Sequence, residues 1–379
     1  MKNFVIYISI AFAMILPMFV QAQNVGEIVS ELKKTCAPDG RTAIWEVKVT
    51  KSGQMWSLDG KVDNAANKQL LLDELDKRGV RYKDNIKLLD EGWAMVKLSV
   101  ASLRTGGKHP AEMATQAIMG TPVKMLEKTG EWVRVQTPDG YIAYIPSTSI
   151  VKKSEKELAA WRSSKRVIVT EKFSTLMAEP DAEADVVSDL VLGNILEYRS
   201  SAVDGAWIKA ETPDGRSGYV PSNAVADFDE WVQQPFNADL IIQTAKEMLG
   251  SGYLWGGTST KLTDCSGLTK VCYFANAIIL QRDASQQALT GLRIASKDWK
   301  TKAQKGDLLF WGNKSGRVTH VGLYIANGIY IHCSGMVKYN SLDPSSELYL
   351  STPFLSISHI DGYVGEKGIT AVKDHPWYF

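Results

Sequence analysis

Two neighbouring stretches decide how this sequence folds: Tyr253-Leu254-Trp255-Gly256-Gly257, and then Asp264-Cys265-Ser266-Gly267. The first is too rich in glycine for a regular element, whereas residues 266–279 are apolar at helical spacing and contain no proline. Cys265 is therefore predicted to begin a buried helix. The free N–H groups and the positive dipole end there favour a thiolate, and hence a nucleophile. A small buried hydrophobic residue is the alternative role.

The first 22 residues have the features of an export signal. Lys2 gives a short basic start, residues 4–20 are apolar, and Val20-Gln21-Ala22 offers a cleavage site. We expect a mature chain from Gln23, exported to the periplasm or beyond and with no membrane insertion after cleavage. An uncleaved anchor is the alternative.

Composition narrows the classes of partner. Lys plus Arg number 43 against 42 Asp plus Glu, and no basic stripe alternates with aromatic residues. This balance argues against nucleic acid or an anionic membrane as partner. The length suggests two or three domains, and we expect a monomer.

Four cysteines in an exported chain usually suggest two disulfides. If Cys265 is a free nucleophile, at most one bridge can form among Cys36, Cys272 and Cys333, and we expect these three to be small buried residues. A zinc site is the weaker alternative, because His332 and Cys333 are adjacent in a predicted strand and point to opposite faces. No metal or other cofactor is expected.

An internal repeat occupies the middle of the chain. Residues 131–147 reappear 75 positions later as residues 206–222, with Trp132 matched by Trp207. Each copy reads as strand, Pro-Asp-Gly turn and strand, which predicts a hairpin. Two small all-β modules are therefore expected.

Other elements are predicted from hydrophobic periodicity. The expected strands are residues 44–49, a segment around Trp56, and residues 95–100; the expected helices are residues 65–77, 152–164 and 238–249.

Two histidines follow Cys265 on one predicted hairpin. His320 opens a strand, the chain turns at Asn327-Gly328, and His332 lies on the return strand. A two-residue turn would put the histidines on opposite faces of the sheet. A three-residue loop with a left-handed Gly328 would put them diagonally on one face, about 7 Å apart. We predict the second register, with Cys265 as nucleophile, His320 as base and His332 as its orienter.

These motifs, together with residues 305–310, 320–324 and 331–335, resemble those of the NlpC-type papain-like cysteine peptidases over residues 235–365. The repeat resembles tandem bacterial SH3-like domains over residues 95–226. The whole chain is similar to the γ-D-glutamyl-L-diamino-acid endopeptidases, also called dipeptidyl-peptidase VI. Cys333 departs from the family, which usually has a small residue such as Ala there.

The resemblance implies an α+β fold, with a papain-like catalytic domain preceded by two SH3-like β-barrel domains. The expected domain boundaries are 1–22 for the signal peptide, 23–151 for a first SH3-like domain with a helical insertion, 152–228 for the second, and 229–379 for the catalytic domain.

The resemblance also implies roles near the nucleophile. The Tyr253 hydroxyl, with the backbone N–H of Cys265, would donate to the oxyanion. Trp255 would line one wall of the pocket beside Tyr253. The alternative is that Trp255 is an ordinary aromatic residue of the core. Substrate contacts are implied for the residues that flank Cys265, which are Asp264 and Ser266.

At the amine end of the substrate, Asp283 resembles the family's ammonium-binding acid. Ala284 stands where related sequences can carry Ser, so one hydrogen bond is expected to be missing. Glu112 and Tyr141 of the first SH3-like domain would close the cleft and admit only peptides with a free N-terminal L-Ala. The alternative for Glu112 and Asp283 is a solvated surface acid.

Three functions are compatible with the sequence. The first is a cysteine peptidase that cuts murein stem peptides between γ-D-Glu and meso-diaminopimelate or Lys, with murein-derived peptides as its partners. The second is an acyltransferase or amidase on the same scaffold. The third, a wall-binding protein with an inactive catalytic domain, is disfavoured because Cys265, His320 and His332 are all present.

Overall fold

The computed structural model describes residues 25–201 and 205–379. The predicted signal peptide, residues 1–22, and Gln23 lie outside them. The chain forms two compact units: one holds the described residues up to Gly40 and Ile44–Leu88, and the other holds Arg41–Ala43 and Leu89–Phe379. None of the described helices has both the length and the apolar composition needed to cross a bilayer.

The first unit is a three-stranded sheet with two helices. β1 and β2 form an antiparallel hairpin, and α2 then crosses over so that β3 pairs with β2 in parallel. Leu71 and Leu75 of α2 are fully buried. The elements are α1 (Val25–Cys36), β1 (Trp45–Ser52), β2 (Met55–Val62), α2 (Ala65–Lys77) and β3 (Tyr82–Leu88).

This unit differs from the predicted helical insertion within a first SH3-like domain of residues 23–151. A parallel strand pair needs a crossover connection, and α2 supplies it while burying its apolar face within the unit. Residues 44–88 therefore complete a sheet of their own, and the next sheet begins at Gly92.

The first β module is a seven-stranded antiparallel sheet in the order β10-β4-β7-β8-β9-β5-β6. The expected single strand over residues 95–100 is broken after Val96, because the chain crosses the module there to reach β5. The strands are β4 (Gly92–Val96), β5 (Val100–Arg104), β6 (Met113–Ile118), β7 (Pro122–Thr129), β8 (Trp132–Gln136), β9 (Ile142–Pro146) and β10 (Ile150–Lys153).

The second β module repeats this topology, in the order β17-β11-β14-β15-β16-β12-β13. Helix α3 (Glu155–Ser163) joins the two modules and begins with a capping box between Ser154 and Glu157. The other elements are β11 (Arg166–Val169), β12 (Phe173–Met177), β13 (Val186–Val191), β14 (Ile195–Ser201), β15 (Trp207–Glu211), β16 (Ser217–Pro221), β17 (Val225–Asp227) and α4 (Phe228–Trp231).

The last domain packs helices against a six-stranded antiparallel sheet ordered β19-β24-β20-β21-β22-β23. Its elements are α5 (Ala238–Glu247), α6 (Cys265–Ala275), β18 (Ile278–Leu280), α7 (Ala284–Gln287), β19 (Leu292–Ala295), α8 (Trp299–Lys302), β20 (Leu308–Gly312), β21 (Val318–Ala326), β22 (Ile329–Ser334), β23 (Met336–Ser341), β24 (Phe354–His359) and β25 (Ile369–Ala371).

Helix α6 is the centre of this domain. It begins at Cys265, as predicted, but ends at Ala275 rather than near residue 279. Ala277 has a φ of 56°, which turns the chain into β18. The helix packs on one face of the sheet, where Val321, Leu323 and Ile331 are fully buried. The predicted α+β class is confirmed.

Gly267 allows α6 to pack against the glycine-rich loop before it. A Cβ at this position would lie 1.9 Å from the carbonyl oxygen of Gly257. We expect Gly267→Ala to destabilise the protein by about 3 kcal/mol, because backbone rather than a flexible side chain must move. Urea unfolding measures the change.

Gly252→Ala is the matched control, since its Cβ would meet only Leu262 Cδ2, at 3.7 Å. Equal stability of the two variants would show that α6 does not depend on this close approach.

Candidate active site

Cys265 is the first residue of α6 and is 7% exposed. The helix begins here because the Asp264 carboxylate accepts the Gly267 N–H at 2.7 Å, an N-cap that satisfies one of the first unpaired donors. Cys265, the predicted nucleophile, is thus held on a rigid element.

Asp264 is in turn fixed by Arg282. The guanidinium donates to Asp264 Oδ2 at 2.5 Å and Oδ1 at 3.2 Å, and both side chains are almost fully buried. Arg282 also donates to the Ser266 hydroxyl at 2.8 Å. Asp264 and Ser266, predicted to contact substrate, are therefore fixed on either side of Cys265 in this structure, and their substrate contacts stay predictions.

Sequence reasoning gave Arg282 no role. The signal that can identify it is position: Arg282 follows the apolar strand β18 after one residue, and an arginine in such a setting needs a buried acid as partner. Asp264 is that acid.

The charge state of Cys265 differs from the expectation based on the helix dipole. Burial and the nearby Asp264 carboxylate raise the pKa of the Cys265 thiol to about 12, although backbone N–H groups of Val321 and Ser266 oppose this shift. The resting group is a thiol that needs a base. Because Val321 directly follows His320 in the chain, this contact also places the Cys265 sulfur near His320.

The two imidazoles meet as predicted. His320 Nε2 lies 2.6 Å from His332 Nδ1, with ring centroids 4.9 Å apart. The predicted register is present, since Leu323 pairs with Ile331 and Tyr324 with Tyr330.

The predicted three-residue loop is wrong. Asn327 and Gly328 form a two-residue turn, with φ values of 51° and 80°, and Ala326 pairs with Ile329. A bulge between Tyr324 and Ala326 then shifts the register by one residue and brings the histidines onto one face.

Both imidazoles are neutral at rest. Burial, aided by the neighbouring His332 and Lys338, lowers the pKa of His320 to about 3. Burial also lowers the pKa of His332 to about 4, against an opposing hydrogen bond that His332 donates to Asn340. A neutral imidazole beside a neutral thiol is the resting state of a general-base mechanism.

Tyr253 is close enough to Cys265 for that side chain to affect its pKa electrostatically. Burial, followed by the electrostatic effect of Cys265 and Asp264, raises the pKa of the Tyr253 phenol, so the hydroxyl keeps its proton and can donate a hydrogen bond. Its backbone is fixed by a 2.9 Å hydrogen bond from its N–H to the Gly335 carbonyl. Its role at the oxyanion stays a prediction.

The first β module reaches the site through Glu112. The indole Nε1 of Trp255 donates to Glu112 Oε1 at 2.6 Å. Trp255 is 61% exposed, so its alternative role as a core aromatic is wrong. Nearby, Gln116 and Thr258 form two hydrogen bonds of 2.9 Å with each other, which join the module to the glycine-rich loop that precedes α6.

A second contact joins Tyr141 to Asp283, whose side chains are hydrogen-bonded to each other. Burial and the Asp283 charge raise the pKa of the Tyr141 phenol. Asp283 also accepts Arg41 Nη1 at 2.8 Å, a contact that the sequence did not suggest. Ala284, which starts α7, is 7% exposed and packs in the core.

All four cysteines are free thiols. Cys272 and Cys333 are fully buried, as expected, whereas Cys36 is only half-buried. The Cys333 thiol donates to the Thr263 carbonyl at 3.3 Å. In the part of the chain that the structure describes, no group of three or more His, Cys, Asp or Glu side chains is arranged to hold a metal ion.

Family models match two parts of this chain. Residues 250–357 match the NlpC/P60 family, and residues 103–150 match the bacterial dipeptidyl-peptidase SH3 domain. A γ-D-glutamyl-L-lysine dipeptidyl-peptidase from Bacillus subtilis is 30% identical over 58% of this chain and 71% of its own length. The chain belongs to the NlpC/P60 family of cysteine peptidases. Dipeptidyl-peptidase 6 of Lysinibacillus sphaericus is 28% identical over 68% of this chain and 94% of its own.

The NlpC/P60 fold is also found by structural comparison. A crystal structure of an NlpC/P60 family protein from Bacillus cereus superposes with a TM-score of 0.61 at 23% identity, over 71% of this chain and all of the other. This similarity extends well beyond residues 250–357 and concerns the fold.

The charge state of Cys265 can be measured from the ultraviolet absorbance of thiolate. Because the thiol pKa is raised to about 12, the difference in absorbance between the native protein and Cys265→Ala is expected to be absent at neutral pH. It should appear only above about pH 10. A thiolate signal at neutral pH that disappears on acidification would instead show a Cys265–His320 ion pair.

Proposed function

We propose that this protein hydrolyses the bond between γ-D-Glu and the following L-diamino acid, meso-diaminopimelate or Lys, in murein stem peptides that carry a free N-terminal L-Ala. The observation that carries the proposal is that Glu112 and Tyr141 of the first β module contact Trp255 and Asp283 of the domain that holds Cys265, His320 and His332. The names of the relatives from Bacillus subtilis and Lysinibacillus sphaericus support it.

The proposed chemistry begins with proton transfer. His320 Nε2 faces His332, so His320 Nδ1 is the atom that takes the Cys265 proton. The sulfur attacks the γ-carbonyl carbon, and the oxyanion accepts hydrogen bonds from the Tyr253 hydroxyl and the Cys265 N–H. The imidazolium then protonates the leaving amine of the diamino acid, and a thioester remains.

Hydrolysis completes the cycle. Water gives a proton to His320 and attacks the thioester carbonyl, and the Cys265 thiolate leaves and recovers that proton. The acid released is L-Ala-D-Glu. A neutral resting dyad suits both steps, because His320 must accept a proton twice and return it twice.

The free amine of the substrate is proposed to bind between Glu112 and Asp283. Their charges are not equivalent, because Asp283 already pairs with the Arg41 guanidinium. Glu112 is held by the uncharged indole of Trp255, so its charge is available to an ammonium. Glu112 is therefore proposed to contribute more to amine recognition than Asp283. Glycan-attached stems lack this amine and are excluded.

We further propose that the enzyme is exported, with residues 1–22 as its signal peptide, and that it acts on murein peptides already released from the wall. The basic start and apolar core of that segment support the export step.

The proposed bond and the amine requirement are tested together by mass spectrometry. Purified protein is incubated with L-Ala-γ-D-Glu-meso-diaminopimelate and, separately, with its N-acetylated form, with Cys265→Ala as the inactive control. We expect L-Ala-D-Glu from the free amine alone. Cleavage of both would refute the amine requirement, and cleavage of neither would favour an acyltransferase or amidase.

Glu112→Gln removes the negative charge but keeps an acceptor for the Trp255 indole. We expect KM for free-amine peptides to rise about tenfold with little change in kcat, because a charge-assisted hydrogen bond is lost. Asp283→Asn is expected to raise KM less. Glu131→Gln, an exposed acid of the same β module, is the matched control. Unchanged kinetics for Glu112→Gln would remove Glu112 from the substrate site.

A further inference from the structure

Asn340, on β23, extends the line of polar groups that begins at the nucleophile. Its Oδ1 lies 2.8 Å from His332 Nε2, on the opposite side of that ring from His320. Its Nδ2 donates to the Leu348 carbonyl at 2.7 Å. The line therefore runs His320, His332, Asn340 and the backbone of Leu348.

The orientation of the Asn340 amide follows from these partners. A carbonyl oxygen only accepts hydrogen bonds, so the amide group that faces Leu348 must be the NH₂ donor. The Leu348 carbonyl also accepts the Ser341 N–H at 2.9 Å, which uses its second lone pair and fixes its position. The amide oxygen of Asn340 consequently faces His332.

An acceptor at Asn340 Oδ1 dictates the tautomers of both rings. His332 must carry its proton on Nε2 to donate to Asn340, so its Nδ1 has a lone pair. His320 must then carry its proton on Nε2 to donate to His332 Nδ1 at 2.6 Å. The remaining nitrogen, His320 Nδ1, has the lone pair that can take the thiol proton.

We infer that Asn340 is a positioning residue that sets the tautomers of His332 and His320, and so makes His320 Nδ1 the proton acceptor for Cys265. Its effect on peptide cleavage rests on the proposed function, whereas its effect on the tautomers does not. Without this acceptor, the two rings can exchange donor and acceptor roles, and His320 then presents an N–H to the thiol.

Asn340 serves a second purpose once His320 is protonated. The imidazolium donates to His332 through Nε2, and the Asn340 oxygen places the negative end of its dipole behind that pair. Three charged or titratable side chains lie around His332: Lys338 on β23, Tyr330 on β22 and His320 on β21. The ring centroids of Tyr330 and His332 are 5.0 Å apart. The positive charge of Lys338 opposes the imidazolium. A better acceptor at position 340 therefore stabilises the charged form.

The first test is nitrogen NMR of the histidine rings. In protein with Asn340 intact, both His320 and His332 are expected to be Nε2–H tautomers at neutral pH. In Asn340→Leu, which is close in size but cannot accept or donate, both rings should show mixed tautomers. An Nδ1–H His320 in the native protein, or unchanged spectra in Asn340→Leu, would overturn the inference. This measurement needs no substrate.

The second test is kinetic and uses the free-amine peptide. Asn340→Leu should lower kcat about 10- to 100-fold with KM unchanged, as when the outer partner of a functional histidine is removed. Asn340→Asp restores the acceptor for His332 but loses the donor to the Leu348 carbonyl, so it should recover activity in part and move the acidic limb of kcat/KM to higher pH, because a carboxylate favours imidazolium. Equal losses in both variants with no shift in the pH profile would overturn the inference and indicate a structural role.

Ser346→Ala is the matched control for disturbance of the Leu348 loop. The Ser346 hydroxyl accepts the Leu348 N–H at 3.2 Å and is not part of the line to His332. We expect this variant to keep the native kcat and the native tautomers. A loss equal to that of Asn340→Leu would assign the effect to the loop instead. Absence of cleavage by native protein, with Nε2–H tautomers present, would refute the proposed substrate and leave the inference standing.

Discussion

The buried pair of Arg282 and Asp264 is the interaction on which the rest of the site depends. Asp264 uses one oxygen to cap α6 and the other to accept the Gly256 N–H, so a single carboxylate ties the helix to the glycine-rich loop. A buried carboxylate is costly unless it is paired and hydrogen-bonded, and Arg282 meets that need. Removal of either partner would leave an uncompensated charge directly beside Cys265.

This arrangement also explains why Cys265 is a thiol rather than a thiolate. A helix N-terminus alone lowers a thiol pKa, but here an acid already occupies that end of α6. Burial of the thiol and both imidazoles then favours neutral forms throughout. Under the proposed mechanism, Cys265 becomes reactive by transferring its proton to His320, which requires each imidazole ring to have its proton on the correct nitrogen.

Local pattern was enough to predict much of this protein. The start of α6 at Cys265, the register of the histidine hairpin and the two β modules follow from spacing, glycine content and an internal repeat. The predicted loop in that hairpin was wrong, because a bulge at Ile325 leaves no signature in composition. The register was therefore predicted correctly for the wrong reason, since the bulge and not a three-residue loop produces it.

The remaining features could not be predicted, because they depend on contacts that local sequence patterns do not reveal. Arg282, Arg41 and Asn340 act through partners that are distant in sequence or on another strand, and no local periodicity identifies such pairs. The separate sheet of residues 44–88 was missed for a similar reason, since only the parallel pairing of β2 with β3 reveals that it is complete. A single sequence therefore predicts helices and strands well, but it predicts poorly which distant side chains and strands pair with each other.

The shared strand order of the two β modules has an evolutionary implication. The two modules share one strand order and a repeated sequence, as expected of a duplicated unit, and Glu112 and Tyr141 of the first module contact Trp255 and Asp283 of the last domain. Glu112 lies in the connection between β5 and β6, outside the strands that build the barrel core. Under the proposed function, a change in this surface connection would alter which peptides are admitted and leave the residues around Cys265 unchanged.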